Sequence, residues 1–305
     1  MASTYRHISP TTVLIFTTLF VFSFFSLVNS LYRGHRHHDA PNWDLLIFTQ
    51  NWPSSVCHKW SSEGVNHSCL NYPANTWTIH GIWPTKLGTI GPGFCKNSSS
   101  FSPEAIYGIE DQLMQVWAPV EKHKKKYDFW AHEWKKHGTC ASILPALATE
   151  FDYFYKGIEL IQAYNMNGVL QKAGIIPGQA YNVTQIWDGV HKVLNKKPQV
   201  VCFNDKENVS VLLEVRICFD KQLNLVDCDG TVVGANGEEP TLERRRSGYQ
   251  NLSNCLMEKS VQYPPGAPPK RHSLNQLDSD LQKKNKENSL IEKLKLLHFT
   301  QWFTI

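Results

Sequence analysis

The chain has 305 residues, 42% of them hydrophobic and 19% charged, with 10 tryptophans and 15 phenylalanines available for a core. That is an ordinary globular composition, enough for one large domain or two small ones. The formal charge of +4 is too mild to imply electrostatic capture of a polyanion at neutral pH, but the 13 histidines would make the chain strongly basic near pH 5.

Arg6 and His7 precede an apolar run from Val13 to Val28, closed by Asn29-Ser30. This is the pattern of a secretory signal peptide over residues 1–30, with Leu31 as the mature N-terminus. An uncleaved anchor helix is the competing reading, weakened by Thr17, Thr18, Ser23 and Ser26. No second apolar run of that length follows, so no stable membrane insertion is expected after cleavage. Residues 31–41 are basic, histidine-rich and without periodicity, and read as a mobile arm. Export fits two further features. The eight cysteines (57, 69, 95, 140, 202, 218, 228 and 255) are even in number, as a disulfide framework requires. Zinc ligation is disfavoured because no Cys-x-x-Cys pair occurs. Asn66, Asn97, Asn182, Asn208 and Asn251 each open an Asn-X-Ser/Thr glycosylation acceptor.

Leu45 to Thr49 is a short β-type run ended by Gln50-Asn-Trp-Pro53, and Trp77 to Trp83 reads as a strand stopped by Pro84. Ile106, Ile109, Leu113, Val116 and Trp117 recur at helical spacing after Ser102-Pro103-Glu104. Phe129 to His137 is predicted helical, with Gly138 as its stop. Phe151, Phe154, Tyr155, Ile158 and Ile161 mark another helix, and Ile186, Val190, Val193 and Leu194 one more. Val209, Val211, Leu213, Val215 and Ile217 alternate strictly, the clearest strand signal in the chain, and Cys218 and Cys228 bracket the turn after it. There are no internal repeats. The pattern predicts one α+β domain over 42–255, a central antiparallel sheet packed with several helices and held by disulfides. Residues 256–305 form a Pro-rich linker and a polar tail, expected to be disordered, in which Leu290, Ile291, Leu294 and Leu297 could make a short amphipathic helix.

The chemistry concentrates in two tryptophan-rich segments, Trp77-Thr-Ile-His-Gly-Ile-Trp-Pro84 and Phe129-Trp-Ala-His-Glu-Trp-Lys-Lys-His-Gly-Thr-Cys140. His132-Glu133-x-x-x-His137 has one residue too many for the zinc-protease motif. On an α-helix, positions five apart diverge by about 140°, so the two histidines would not share a face for one metal. Glu133 and His137, at i and i+4, would share one, with Lys136 between them. A solvated, salt-bridged helix face is the plain alternative. Against it stand Trp130, Trp134 and the histidine of the other segment, His80. Two imidazoles, one neutral and one protonated, can move a proton each way in a single displacement.

The two segments resemble, nearly residue for residue, the active-site segments of the ribonuclease T2 family of acid, secreted or lysosomal endoribonucleases. Ile82 in place of Leu is the main departure. The resemblance extends loosely from Leu45 to Cys255. It implies His80 as general acid, His137 as general base, and His132, Glu133 and Lys136 at the phosphate, stabilising the transition state. It further implies base contacts at Gln50, Trp52, Trp77 and Phe129, although each of these aromatics reads equally well as core. The family's disulfide pattern implies Cys57–Cys69, Cys95–Cys140, Cys202–Cys255 and Cys218–Cys228, where the sequence alone leaves roughly a hundred pairings open. The implied function is metal- and cofactor-independent cleavage of single-stranded RNA, not DNA, to 2′,3′-cyclic phosphate ends in mild acid, by a monomer that is secreted or lysosomal. A secreted signalling or cytotoxic factor using the same fold without catalysis is the rival.

Overall fold

In the computed structural model the chain divides into two units, Met1–Trp43 and Asp44–Ile305. The described residues are 41–70, 72, 75–96, 100–122, 125–233 and 252–266. The expected signal peptide, the arm up to residue 40, Asn97, Asn251 and the tail from 267 onward lie outside them.

Strand β5 (Ser210–Phe219) is the axis of the second unit. It pairs antiparallel with β1 (Leu45–Asn51) along one edge and with β4 (Gln199–Asn204) and β6 (Leu225–Val226) along the other. β1 in turn pairs antiparallel with β2 (Thr78–Thr85), which ends the sheet. β5 also pairs with β7 (Ser260–Tyr263), and this pairing is parallel, so the sheet is mixed rather than purely antiparallel. β3 (Gln179–Asn182) pairs with β7.

The alternation in Val209–Ile217 predicts a strand, and β5 is that strand, with nine of its ten residues buried. With partners on both edges and packing on both faces, the polar residues between the apolar ones also lie inside. Pro84 does not stop β2; it sits opposite Leu46 within the strand. Proline is tolerated there because β2 is a sheet edge, where an amide hydrogen is not needed.

The helices are α1 (Pro53–Glu63), α2 (Glu110–Val116) preceded by a 3₁₀ stretch Pro103–Ile109, α3 (Lys126–Glu133), α4 (Glu150–Ala163), α5 (Met166–Lys172) and α6 (Val183–Leu194). Of the predicted stripe, Ile106, Ile109, Leu113 and Trp117 are buried and Val116 is half-buried. In α4 the buried face is Tyr153, Phe154, Gly157, Ile158, Leu160 and Ile161. Phe151 and Tyr155, included in the predicted stripe, instead stack on each other outside it, 5.5 Å between centroids. Side chains from these helices take up backbone groups of β2. Trp117 Nε1 donates to the His80 carbonyl at 2.9 Å, and the Tyr153 hydroxyl donates to the Ile82 carbonyl at 3.0 Å.

Disulfides join Cys57 to Cys69, Cys95 to Cys140, Cys202 to Cys255 and Cys218 to Cys228, and no described cysteine is free. Asn66, Asn182 and Asn208 are exposed.

The fold continues past Cys255, where the expected boundary lay. Tyr263 is 2% exposed, and its hydroxyl accepts a hydrogen bond from Trp77 Nε1 at 2.8 Å. Trp52 Nε1 donates to the Pro264 carbonyl at 3.0 Å. The Trp52–Tyr263 ring pair, 5.0 Å apart and edge-on, closes this cluster. Residues 260–263 therefore form a strand of the sheet, with Val261 and Tyr263 in the core. Tyr263→Ala is expected to cost about 3–5 kcal/mol in chemical denaturation by leaving a cavity, and Tyr263→Phe only about 1 kcal/mol for the lost hydrogen bond.

Candidate active site

His80 stands at an irregularity of the sheet edge. Thr49 of β1 faces Gly81 and Gln50 faces Ile79, so His80 is an extra residue with no counterpart, a β-bulge. A bulge bends the strand locally and re-aims the side chain it carries. The His80 imidazole meets Glu214 of β5, with Nδ1 2.6 Å from Oε1. An ionised carboxylate can only accept, so Nδ1 carries the hydrogen and Nε2 is left for a substrate. The other carboxylate oxygen of Glu214 accepts from Arg216, Nε at 2.9 Å and Nη2 at 2.6 Å. Burial opposes ionisation of Glu214, but Arg216 and His80 outweigh it and hold the carboxyl at about 2. Burial also opposes the charge on His80, yet the Glu214 carboxylate, assisted by Glu133, raises its pKa above the ordinary imidazole value.

The second histidine comes from the segment after α3. The helix does not end at Gly138. Residues Trp134–Gly138 form a π-turn, and a last helical turn, Thr139–Ala141, follows. Gly138 has right-handed helical angles, φ −59° and ψ −41°. It is glycine because a Cβ there would lie 2.2 Å from the Trp134 ring. The Cys95–Cys140 bridge and the hydrogen bonds Phe94 N–H to Lys136 O (2.9 Å) and Cys95 N–H to Thr139 Oγ1 (3.2 Å) fasten this segment to the loop before it.

The π-turn alters the face read from α-helical spacing. A π-turn hydrogen-bonds at i to i+5, so positions five apart come into line. His132 and His137 accordingly approach, 6.5 Å between ring centroids. Glu133 does not pair with the ring of His137. Its Oε2 accepts from Trp83 Nε1 at 3.0 Å, and Trp83 packs against His137 at 5.2 Å. The same indole lies 4.9 Å from His80, edge-on, with Arg216 5.1 Å from its ring. Trp83 thus stands between the two histidines. Its bond to Glu133 passes over Gly81, where a Cβ would come within 2.1 Å of Trp83 Nε1 and 2.3 Å of Glu133 Oε2.

His137 differs from His80 in its surroundings. Its Nδ1 is buried with no hydrogen-bond partner among the described residues. Burial first, then the charges of Lys136, His80 and His132, push its pKa well below the ordinary imidazole value. A cleft of about 1190 Å³ is lined by His80, Trp83, Glu133, His137, His132, Lys136, Glu214 and Arg216 among others. A smaller cavity of about 180 Å³ shares His80 and Glu214 with it and is bordered by Phe129, Pro119 and Val120. Among the described residues no group of three or more His, Cys, Asp or Glu is placed to hold a metal ion.

The residues expected at nucleobases divide. Phe129 flanks the smaller cavity, 6.1 Å from the His80 ring. Gln50, Trp52 and Trp77 are each no more than 1% exposed. Gln50 Nε2 donates to the Tyr164 carbonyl at 2.8 Å and its Oε1 accepts from the Met166 amide at 3.1 Å, so the side chain braces the turn between α4 and α5. Trp52 and Trp77 belong to the Tyr263 cluster. None of the three lines either cavity. Glu214 and Arg216, by contrast, line the cleft without being among the residues the sequence singles out. A Glu and an Arg two apart in an otherwise apolar strand share one face, and that spacing was the available signal.

Two imidazoles in contrasting surroundings thus share one cleft on a disulfide-bonded α+β frame. The chain belongs to the ribonuclease T2 family, whose model matches residues 43–228, and is a T2-type endoribonuclease. It is 35% identical to ribonuclease T2 of Sus scrofa over 191 residues, 61% of this chain and 89% of that protein. It is 32% identical to ribonuclease Oy of Magallana gigas over 193 residues, 62% of this chain and 88% of the relative. The crystal structure of human RNase T2 superposes with a TM-score of 0.57 at 30% identity, covering 73% of this chain and all of that one.

Gly81→Ala is expected to force Trp83 and Glu133 apart. The lost stability, about 1–3 kcal/mol, should appear in thermal denaturation together with a fall in kcat/KM.

Proposed function

We propose that the enzyme cleaves single-stranded RNA by transesterification without a metal, in mild acid. The substrate's own 2′-oxygen attacks phosphorus while His137 takes its proton. The bond from phosphorus to the 5′-oxygen breaks, and His80 delivers a proton to that leaving oxygen. The products are a 2′,3′-cyclic phosphate and a free 5′-hydroxyl. Lys136 and His132, which both line the cleft, neutralise the charge that gathers on the equatorial oxygens. The Lys136 ammonium is a fixed cation where another design would recruit a metal ion. Glu133 orients Trp83 and adds negative potential near His80. Phe129 offers a face on which a nucleobase can stack.

The carrying observation is the opposed basicity of the two imidazoles. The enclosed Nδ1 of His137 gives a protonated ring no acceptor, so burial keeps it neutral and able to accept a proton. Glu214 keeps His80 protonated and able to donate. A base must be unprotonated and an acid protonated at the same pH. Lowering one value and raising the other opens a window around mild acid in which both hold.

Export through the secretory pathway, to the lysosome or the outside, is part of this reading. The leader-like first thirty residues and the four disulfides support it. So does 29% identity to a tomato relative named an extracellular ribonuclease. Asn66, Asn182 and Asn208 are exposed acceptors for glycan. No helix among the described residues is long and apolar enough to cross a membrane.

His80→Ala and His137→Ala should each lower kcat/KM on yeast RNA by about 10²–10⁴; near-normal turnover by either variant would remove its assigned role. EDTA should leave the rate unchanged, and single-stranded DNA, lacking the attacking hydroxyl, should not be cut. The profile of kcat/KM against pH should be bell-shaped. Its acid limb reports protonation of His137 and lies well below the ordinary imidazole value. Its alkaline limb reports loss of the His80 proton and lies above that value.

A further inference from the structure

We infer that Glu214 and Arg216 are positioning residues for the reaction: Glu214 fixes His80 with Nε2 toward the cleft and holds it as an acid, and Arg216 locks Glu214 in the rotamer that does so. This rests on the reading of His80 as the general acid. The geometry leaves little freedom. The carboxylate has two oxygens and two tasks, with Oε1 facing His80 and Oε2 taking both Arg216 hydrogens. Glu214 is 4% exposed and Arg216 8%, so neither exchanges these partners for water. The two side chains stand on the same face of β5, and Leu213 beside them is the unpaired residue of a second bulge, between Val201 opposite Glu214 and Cys202 opposite Leu212. That bulge sets the pleat from which Glu214 reaches β2 across β1.

Other charged groups facing His80 cannot replace this pair. Glu133 of α3 is engaged by Trp83. Lys59 and Glu63 of α1, which share both cavities with His80, are paired with each other at 2.7 Å. Burial and the Arg216 guanidinium both oppose a protonated His80. The Glu214 carboxylate therefore supplies the main attraction that keeps the acid charged, and Arg216 prevents Glu214 from taking up a proton itself. An acceptor on Nδ1 also fixes the tautomer, so that the transferable proton always sits on Nε2.

Glu214→Gln is the discriminating change, because it preserves shape. Arg216 would retain the amide oxygen, leaving the amide nitrogen to face His80 Nδ1. A protonated His80 would then oppose one donor with another. The measurement is kcat/KM for a dinucleoside phosphate against pH, together with an NMR titration of the His80 Cε1 proton assigned by its loss in His80→Ala. In the variant the alkaline limb should move toward acid by about one unit or more, so that activity falls about tenfold near neutrality but much less in acid, each unit being a factor of ten. The His137 limb should stay in place. A merely structural role for Glu214 would lower the rate equally at every pH. An alkaline limb or a His80 titration unmoved in Glu214→Gln overturns the inference. Should the variant fail to fold, titration of the native protein decides: His80 titrating above an ordinary histidine supports it, and at or below overturns it. If native protein does not cut RNA, the functional reading fails, while the titration still tests the Glu214–His80 pair.

Discussion

The hydrogen bond from the Trp83 indole to the Glu133 carboxylate joins the sheet to the helix that carries the second histidine, and the cleft depends on it. Glu133 is 2% exposed and must be satisfied where it stands. Trp83 is held at its nitrogen by that carboxylate, while its ring lies against Arg216, His80 and His137. A single indole thereby spaces the two imidazoles and touches the ion pair that orients one of them. The close approach over Gly81 shows how little slack this arrangement has, since no side chain larger than hydrogen fits beneath the bond.

Both histidines sit where a regular element takes in an additional residue. His80 is the unpaired position of a bulge in β2, and His137 lies in a π-turn, the helical equivalent of an insertion. Regular structure would have pointed these side chains elsewhere. The bulge rotates His80 toward Glu214. The π-turn brings His137 into line with His132 and away from a direct bond with Glu133. Disulfide and hydrogen-bond anchors around Cys140 and Thr139 keep the irregular turn from relaxing into an ordinary helix.

The two tryptophan-rich segments were legible as chemistry from their residues, and the helix over Phe129–His137 from its spacing. Their distortions were not. A period of 3.6 makes Gly138 a stop and Glu133 and His137 neighbours. In the fold the Trp134 ring fills the space of a Cβ at Gly138 and is itself packed against Tyr153 at 5.7 Å, a tertiary contact that spacing does not report. Gln50, Trp52 and Trp77 lie near the motifs in sequence, but their polar atoms are consumed by Tyr164, Met166, Pro264 and Tyr263, partners more than 100 residues away. Glu214 was hidden by the same kind of distance, 134 residues from His80. Alternation reports which face a residue occupies, and only the packing of the folded chain reveals that both faces of β5 are covered.

The edge position of β2 carries one more consequence. A terminal strand normally offers its free amides and carbonyls to any passing chain, and exposed edges of this kind are where sheets recruit partners and aggregate. Here the His80 and Ile82 carbonyls are already occupied by Trp117 and Tyr153, Pro84 has no amide hydrogen to offer, and the bulge breaks the repeat a docking strand would need. The distortion that aims His80 also makes its strand a poor template for another. The strand that carries His80 is thereby protected against self-association by its own irregularity.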